Sequence, residues 1–320
     1  MQEGSIAGAK ENVVLVTGGT GLVGKNVRNL VESQPAEYEK TRFVFVGSKD
    51  ADLCSEGDVR RLFEETRPTH VIHLAAAVGG LFKNLRYPSG MLSKNVAMNE
   101  LILRYCHEFG VTKLVYCLSS CIFPDKGPFP LQEQDLHNGL PHDSVLGYGY
   151  SKRLMHVSAQ LYNRQYGTNF VGLCPCNLFG KYDNFDPESG HVLAALVSRF
   201  ATAEKELVVW GSGRPLRQFM YAPDFAKQLL WALEEFDGGE DGYLICSPPE
   251  SEEKSINEIA EAIRSSMRSD ATIVNDTSKA DGQLKKTCSS AKFLAACPEF
   301  RFTPFQEAVQ ETVDWFLGQR

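Results

Sequence analysis

The chain has 320 residues, 43% apolar and 23% charged, an ordinary globular balance at about twice the ~150 residues of one domain. Its 33 basic and 40 acidic residues give a net charge of −7 with no basic run, which argues against nucleic-acid or membrane-surface binding. Nine scattered cysteines without a Cys-x-x-Cys pair exclude a zinc ribbon and a disulfide framework, so no metal is expected.

The start, MQEGSIAGAK, is polar and lacks the apolar core of a signal peptide. No apolar run approaches the ~20 residues of a membrane span. A soluble protein of the reducing cytoplasm is expected.

In chain order, Val13–Thr17 is an apolar β-branched run of strand length that leads straight into glycines. Arg42–Val46, His70–Leu74, Lys113–Leu118 and Phe170–Cys174 are four more such runs. Between them, Leu22–Val31, Val59–Thr66, Val96–Phe109 and Leu154–Tyr166 carry helical spacing. Short apolar strands between helices predict an α/β Rossmann-type fold, a doubly wound parallel sheet covered on both faces.

After Pro175 the texture changes. Residues 177–190, rich in Gly, Asn, Asp and Pro, read as a long functional loop. Helices are predicted over His191–Phe200, Phe225–Glu235, Ile256–Met267 and Phe305–Leu317, with a strand at Leu207–Trp210 and a turn at Gly211–Pro215. The expected division is a nucleotide-binding domain over 1–175, joined by about 218–240, and a smaller mixed α/β substrate-binding domain over 176–320. The second domain would sit over the carboxyl edge of the sheet, where such sheets bind ligands.

Gly18-Gly19-Thr20-Gly21-Leu22-Val23-Gly24 follows the first strand and opens the first helix. Glycines at 18, 21 and 24 permit a tight turn and let backbone N–H groups approach a pyrophosphate. This spacing suits the short-chain dehydrogenase/reductases. After the second strand comes Gly47-Ser48-Lys49-Asp50-Ala51-Asp52-Leu53. Ser48 and Lys49 suit a 2′-phosphate and Asp52 the adenine, which favours NADP over NAD; the plain alternative is a solvated charged turn.

Tyr148 and Lys152 form Tyr-x-x-x-Lys, which puts both side chains on one helix face. A lysine there favours the phenolate and makes the phenol an acid/base at neutral pH. Ser119, at the end of the fourth strand, is placed to bond the same carbonyl oxygen. Cys121 follows it by two residues. Alone, Cys121 reads as a small buried hydrophobe and His191 as a helix-start histidine. Beside a ketone-polarising tyrosine, the pair suggests epimerisation at carbon next to hydride transfer.

These motifs, with Ala75–Gly80, Ser119–Pro124, Asp183–Phe185, His191–Leu193 and Trp210–Gly213, resemble the GDP-L-fucose synthases, a family of extended short-chain dehydrogenase/reductases. The resemblance runs from Val13 to Phe316. It implies conversion of GDP-4-keto-6-deoxy-D-mannose to GDP-L-fucose: epimerisation at C3 and C5, then NADPH-dependent reduction at C4. Ser119, Tyr148 and Lys152 would form the reductase triad, and Cys121 and His191 the epimerase base and acid.

The cofactor would be held by Gly18–Gly24, Ser48, Lys49, Asp52, Leu53, Ala75, Ala76 and Lys152, and by Pro175, Asn177, Leu178 and His191. Arg199, Trp210, Arg217 and Asp281 would hold the GDP-sugar. The resemblance also implies a homodimer built on helices such as Leu154–Tyr166. The chain departs from the family at Cys176, usually threonine, and at Gly180-Lys181-Tyr182, where Gly-Pro is common. The alternatives are another nucleotide-diphosphate-sugar epimerase or dehydratase of this fold, or a non-catalytic nucleotide-binding regulator.

Overall fold

The computed structural model describes residues 11–79, 81–279, 281 and 283–319. The start MQEGSIAGAK and Gly80 of the Ala75–Gly80 run lie outside the described residues. The first half contains β1 (Asn12–Thr17), α1 (Leu22–Ser33), β2 (Thr41–Val46), α2 (Glu56–Thr66) and β3 (His70–His73). It continues with α3 (Leu81–Arg86), α4 (Pro88–Glu108), β4 (Lys113–Cys117), α5 (Leu146–Tyr166) and β5 (Phe170–Cys174).

The second half supplies β6 (Asn177–Phe179), α6 (Val192–Phe200), β7 (Glu206–Trp210), β8 (Leu216–Arg217), β9 (Phe219–Tyr221) and α7 (Ala222–Glu235). After these come β10 (Tyr243–Ile245), β11 (Lys254–Ser255), α8 (Ile256–Met267), β12 (Thr272–Asp276), α9 (Ala291–Ala296) and α10 (Phe305–Gly318).

Six parallel strands form the main sheet in the order β2-β1-β3-β4-β5-β10. Alternate residues along each strand feed opposite faces. Leu15, Val71, Leu114 and Tyr116 pack on one side with Ile102 of α4 and Met155 of α5. Val14, Val16, Ile72 and Val115 pack on the other with Val27 of α1, Phe225 of α7 and Phe293 of α9. Chain direction across the sheet reverses between β1 and β3, so a crevice opens beyond their carboxyl ends.

Local chemistry sets several boundaries. Ser55 and Ser255 cap α2 and α8 by accepting the amides of Asp58 and Glu258, and the Glu258 carboxylate returns the bond to the Ser255 amide at 2.7 Å. Gly167, at φ 67°, ends α5 in the left-handed conformation. Helix α5 starts at Leu146 rather than Leu154, so Tyr148 and Lys152 lie inside it. The run Leu-Gly-Tyr-Gly-Tyr looks like a turn, but both glycines serve packing. A Cβ at Gly147 would lie 2.1 Å from the Pro88 carbonyl oxygen, and one at Gly149 2.6 Å from that of Cys121.

The remaining elements gather on a third core built from Leu193 and Val197 of α6, Leu207 and Val209 of β7, Ile259 and Ile263 of α8, and Val309 and Val313 of α10. Three two-stranded pairings brace it: β7 with β12, β6 with β9, and β8 with β11. The stretch 177–190 is not all loop, since Asn177–Phe179 pairs with Phe219–Tyr221. Among the described residues, no helix is long and apolar enough to cross a membrane and no cluster of side chains is arranged to hold a metal ion.

Candidate active site

Three close approaches shape the glycine turn after β1. Gly18 sits at φ +72°, and a Cβ there would lie 2.7 Å from the Ala75 amide nitrogen, so the loops after β1 and β3 touch at the switch point. Gly24 lies against Gly18 and Gly19, leaving no room for a side chain at 2.5 Å. Gly21 is different. A Cβ there would meet only the Gly18 carbonyl oxygen, at 3.4 Å. Space beyond Gly21 is therefore open at the amino end of α1, and it suits the close approach of a phosphate.

The loop after β2 is folded on itself. Asp50 accepts from the Gly47 amide at 2.7 Å, and Asp52 accepts from the Cys54 amide at 3.0 Å. Ser48 and Lys49 stay exposed beside this turn, while Leu53 is buried under it. On the other wall, the buried Asn95 of α4 bonds both the amide and the carbonyl of Ala77, which fixes the Ala75–Ala77 segment. Beneath the turn, His73 links Thr17 at 2.7 Å to Asn99 at 3.1 Å, tying β1 and β3 to α4.

At the end of β4, Ser119 opens the short helical turn Ser120–Ile122 and accepts the Cys121 amide at 3.3 Å. Its side chain is also close enough to the Tyr148 phenol to lower the phenol's pKa. Burial outweighs that effect and holds the Tyr148 phenol well above its ordinary value. The ammonium of Lys152 is almost fully buried, lies 5.9 Å from the Tyr148 ring centroid and donates to the Cys117 carbonyl at 2.6 Å. Burial pushes its pKa down, opposed by the Cys117 and Cys174 thiols. Lys152 thus lies beside the Tyr148 ring, as the Tyr-x-x-x-Lys spacing leads one to expect, while burial raises the phenol's pKa. Lys286, from the segment after β12, reaches the Cys121 sulfur at 3.7 Å.

The second half forms a cavity of about 1000 Å³ lined by His191, Arg199, Val208 and Trp210, with Val78 and Gly79 of the loop after β3. His191 occupies the residue before α6, and its Nδ1 lies 3.5 Å from Asp183 Oδ1. The bond to Asp183 raises the imidazole pKa against the opposing pull of burial. Arg199 lies over the Trp210 ring, 4.0 Å from its centroid, and donates to the Pro187 carbonyl. Asp281 clamps Ser212 through its amide and hydroxyl at 2.8 and 2.7 Å. Arg217 donates to the Leu216 carbonyl, and burial lowers its pKa.

The model of the NAD dependent epimerase/dehydratase family matches residues 14–246. A Dictyostelium discoideum protein named GDP-L-fucose synthase is 43% identical to this chain, over 96% of each. Drosophila melanogaster has one named "Probable GDP-L-fucose synthase", 42% identical over 95% of this chain and 97% of its own. The crystal structure of a GDP-L-fucose synthetase from Naegleria fowleri bound to NADP superposes with a TM-score of 0.90 at 42% identity, covering 97% of this chain and 95% of that one. The chain belongs to the GDP-L-fucose synthase family.

Against the family pattern, the structure brings Ser119, Cys121, Tyr148 and Lys152 together at the ends of β4 and α5. It places His191, Arg199 and Trp210 on one cavity wall. Pro175 is near the first group, its carbonyl accepting the Ser120 amide at 3.1 Å. Asn177 donates to the Gln218 carbonyl, and Leu178 packs on the core. Cys176 is buried in that same core. Sequence reasoning missed Lys286, which no spacing links to Cys121. It also missed the buried His73–Asn99 and Asn95 contacts, for which the only signal was polar residues inside apolar-spaced elements.

Proposed function

We propose that this chain converts GDP-4-keto-6-deoxy-D-mannose to GDP-L-fucose with NADPH. The convergence of Ser119, Cys121 and Tyr148 on one point carries this reading, with the family membership beside it. The open face of Gly21 at the amino end of α1 fits the pyrophosphate of a dinucleotide, and exposed Lys49 fits a 2′-phosphate. NADPH, when bound, supplies the hydride for C4.

The residues divide the rest of the work. The 4-keto group acidifies the protons at C3 and C5, because each carbanion is stabilised as an enolate. Tyr148 and Ser119 donate to that oxygen and stabilise the enolate charge. Cys121 removes each proton, and His191 returns one to the opposite face, inverting the centre. On reduction, Tyr148 gives its proton to O4, and the burial that raises the phenol's pKa favours the protonated form this step uses. Lys152 fixes the end of β4 through the Cys117 carbonyl. Arg199 and Arg217 supply positive charge for the sugar diphosphate.

The same reading assigns 1–175 with about 218–240 to the nucleotide and 176–320 to the sugar nucleotide, supported by the packing of α7 against α1. A homodimer is supported by Leu154 and Leu161, exposed apolar residues one heptad apart on α5. Nine free cysteines fit a reducing cytoplasmic location.

The test is incubation of the purified protein with GDP-4-keto-6-deoxy-D-mannose and NADPH or NADH, following nicotinamide absorbance and identifying the sugar by NMR. GDP-fucose formed preferentially with NADPH is the expected result. A folded protein that binds NADPH but oxidises none would refute the reading.

A further inference from the structure

Asp183 is an acidic residue that the mechanism above does not use. Its side chain is only 3% exposed, yet one oxygen, Oδ2, has no hydrogen-bond partner. The other accepts the Asn184 amide at 2.7 Å and faces His191 Nδ1 at 3.5 Å. A half-satisfied buried carboxylate is costly, and here it is kept against His191, which lines the cavity.

The residue before it explains how it is held. Tyr182 adopts φ +73°, a left-handed conformation uncommon for a bulky side chain. Two helices pin it there. Asn29 of α1 donates to the Tyr182 hydroxyl at 2.8 Å, and Lys25 of α1 lies 5.0 Å from its ring centroid. Trp315 of α10 meets the ring edge-on at 5.1 Å. This turn directs Asp183 toward the start of α6, where it meets His191.

We propose that Asp183 is a positioning residue that keeps the His191 ring doubly protonated, with Nδ1 toward the carboxylate and Nε2 left for the substrate. The proposal rests on the epimerase role given to His191 above. An imidazolium at the amino end of α6 is opposed by the helix dipole, so it needs a compensating anion. Other charged groups line the same cavity: Asp186 and Glu188 on the loop, Arg199 on α6 and Glu206 on β7. Asp186 is engaged by the Ser189 amide and hydroxyl, and Arg199 by Pro187 and Trp210. The ion pair of the His191 ring is with Asp183.

Two readouts test this in the wild type, Asp183→Asn and Asp183→Glu. One is the titration of His191 followed by 1H–15N NMR; the other is the pH profile of deuterium uptake at C3 and C5 of the keto sugar in D2O. In Asp183→Asn, the His191 midpoint and the basic limb of uptake should both fall by about one pH unit or more. Asp183→Glu should restore part of the shift, which a merely structural defect would not permit. An unchanged midpoint in folded Asp183→Asn overturns the proposal, as does a loss of uptake without any shift in its profile. If the wild type itself takes up no deuterium, the epimerase reading fails, and the NMR titration still decides whether Asp183 sets the charge of His191.

Discussion

Lys286 donates to the Cys121 sulfur across 3.7 Å, so a side chain that follows β12 closes on a thiol that follows β4. This contact fixes the direction of the sulfur beside Ser119 and Tyr148. Lys286→Met should slow epimerisation by about tenfold, the usual weight of a hydrogen bond from a charged group. Deuterium uptake at C3 and C5 measures it; uptake at the wild-type rate would leave Lys286 a bystander. Cys121→Ser should slow the same exchange, and an unimpaired rate would make Cys121 structural.

Tyr148→Phe should reduce turnover by about 10²-fold or more, because reduction loses its proton donor. NADPH absorbance measures the loss, and fluorescence titration should show the cofactor still bound. Near-normal turnover would remove Tyr148 from its role.

The two kinds of glycine in the turn after β1 should separate in experiment. Gly18→Ala combines a left-handed φ with a 2.7 Å clash and should destabilise the fold by about 1–3 kcal/mol, seen as a lower Tm. Gly21→Ala meets no such clash. Its Tm should hold while NADPH affinity falls, and equal melting losses in the two variants would contradict this division.

Lys49→Ala should weaken NADPH more than NADH, because the side chain is exposed beside the turn that would receive the 2′-phosphate. Isothermal titration with both cofactors measures the difference. Equal weakening would show that this loop does not read the phosphate.

Two buried histidines make the protein acid-sensitive. Burial lowers the pKa of His73 to about 3 and of His156 to about 4. Below an ordinary value of 6.5, the unfolded chain binds protons that the native one refuses, so stability is lost as pH falls through that window. Between pH 6.5 and 5 each histidine should cost about 2 kcal/mol. Urea unfolding at the two pH values measures the sum, and His156→Gln should shrink it.

Much of this arrangement was legible from residue order. Five apolar runs separated by helical spacing gave the parallel sheet, and all five are strands within one residue of the expected ends. Tyr148 and Lys152 share one helix because they are four residues apart, and Ser119 follows closely on a strand end, so their positions were legible from local order. What escaped depends on contacts distant in the chain. The start of α5 was hidden because Gly147 and Gly149 look like a turn until Pro88 and Cys121 are beside them. Strands of two or three residues, such as β6 and β9, carry too little pattern to be seen and exist because they pair with each other. Lys286 meets Cys121 only after 165 intervening steps of chain.

The sixth strand of the main sheet has a practical meaning for anyone dividing this protein. β10 covers the outer edge of β5, and the buried Glu133 carboxylate accepts the Ile245 amide at 2.9 Å. A fragment ending at 175 would leave β5 with a bare row of N–H and C=O groups, a template for pairing with other chains. Such a truncation should accumulate as insoluble aggregate when overproduced, whereas the intact polypeptide should not. Engineering that keeps the main sheet of this scaffold therefore has to carry residues as far as 246 with it.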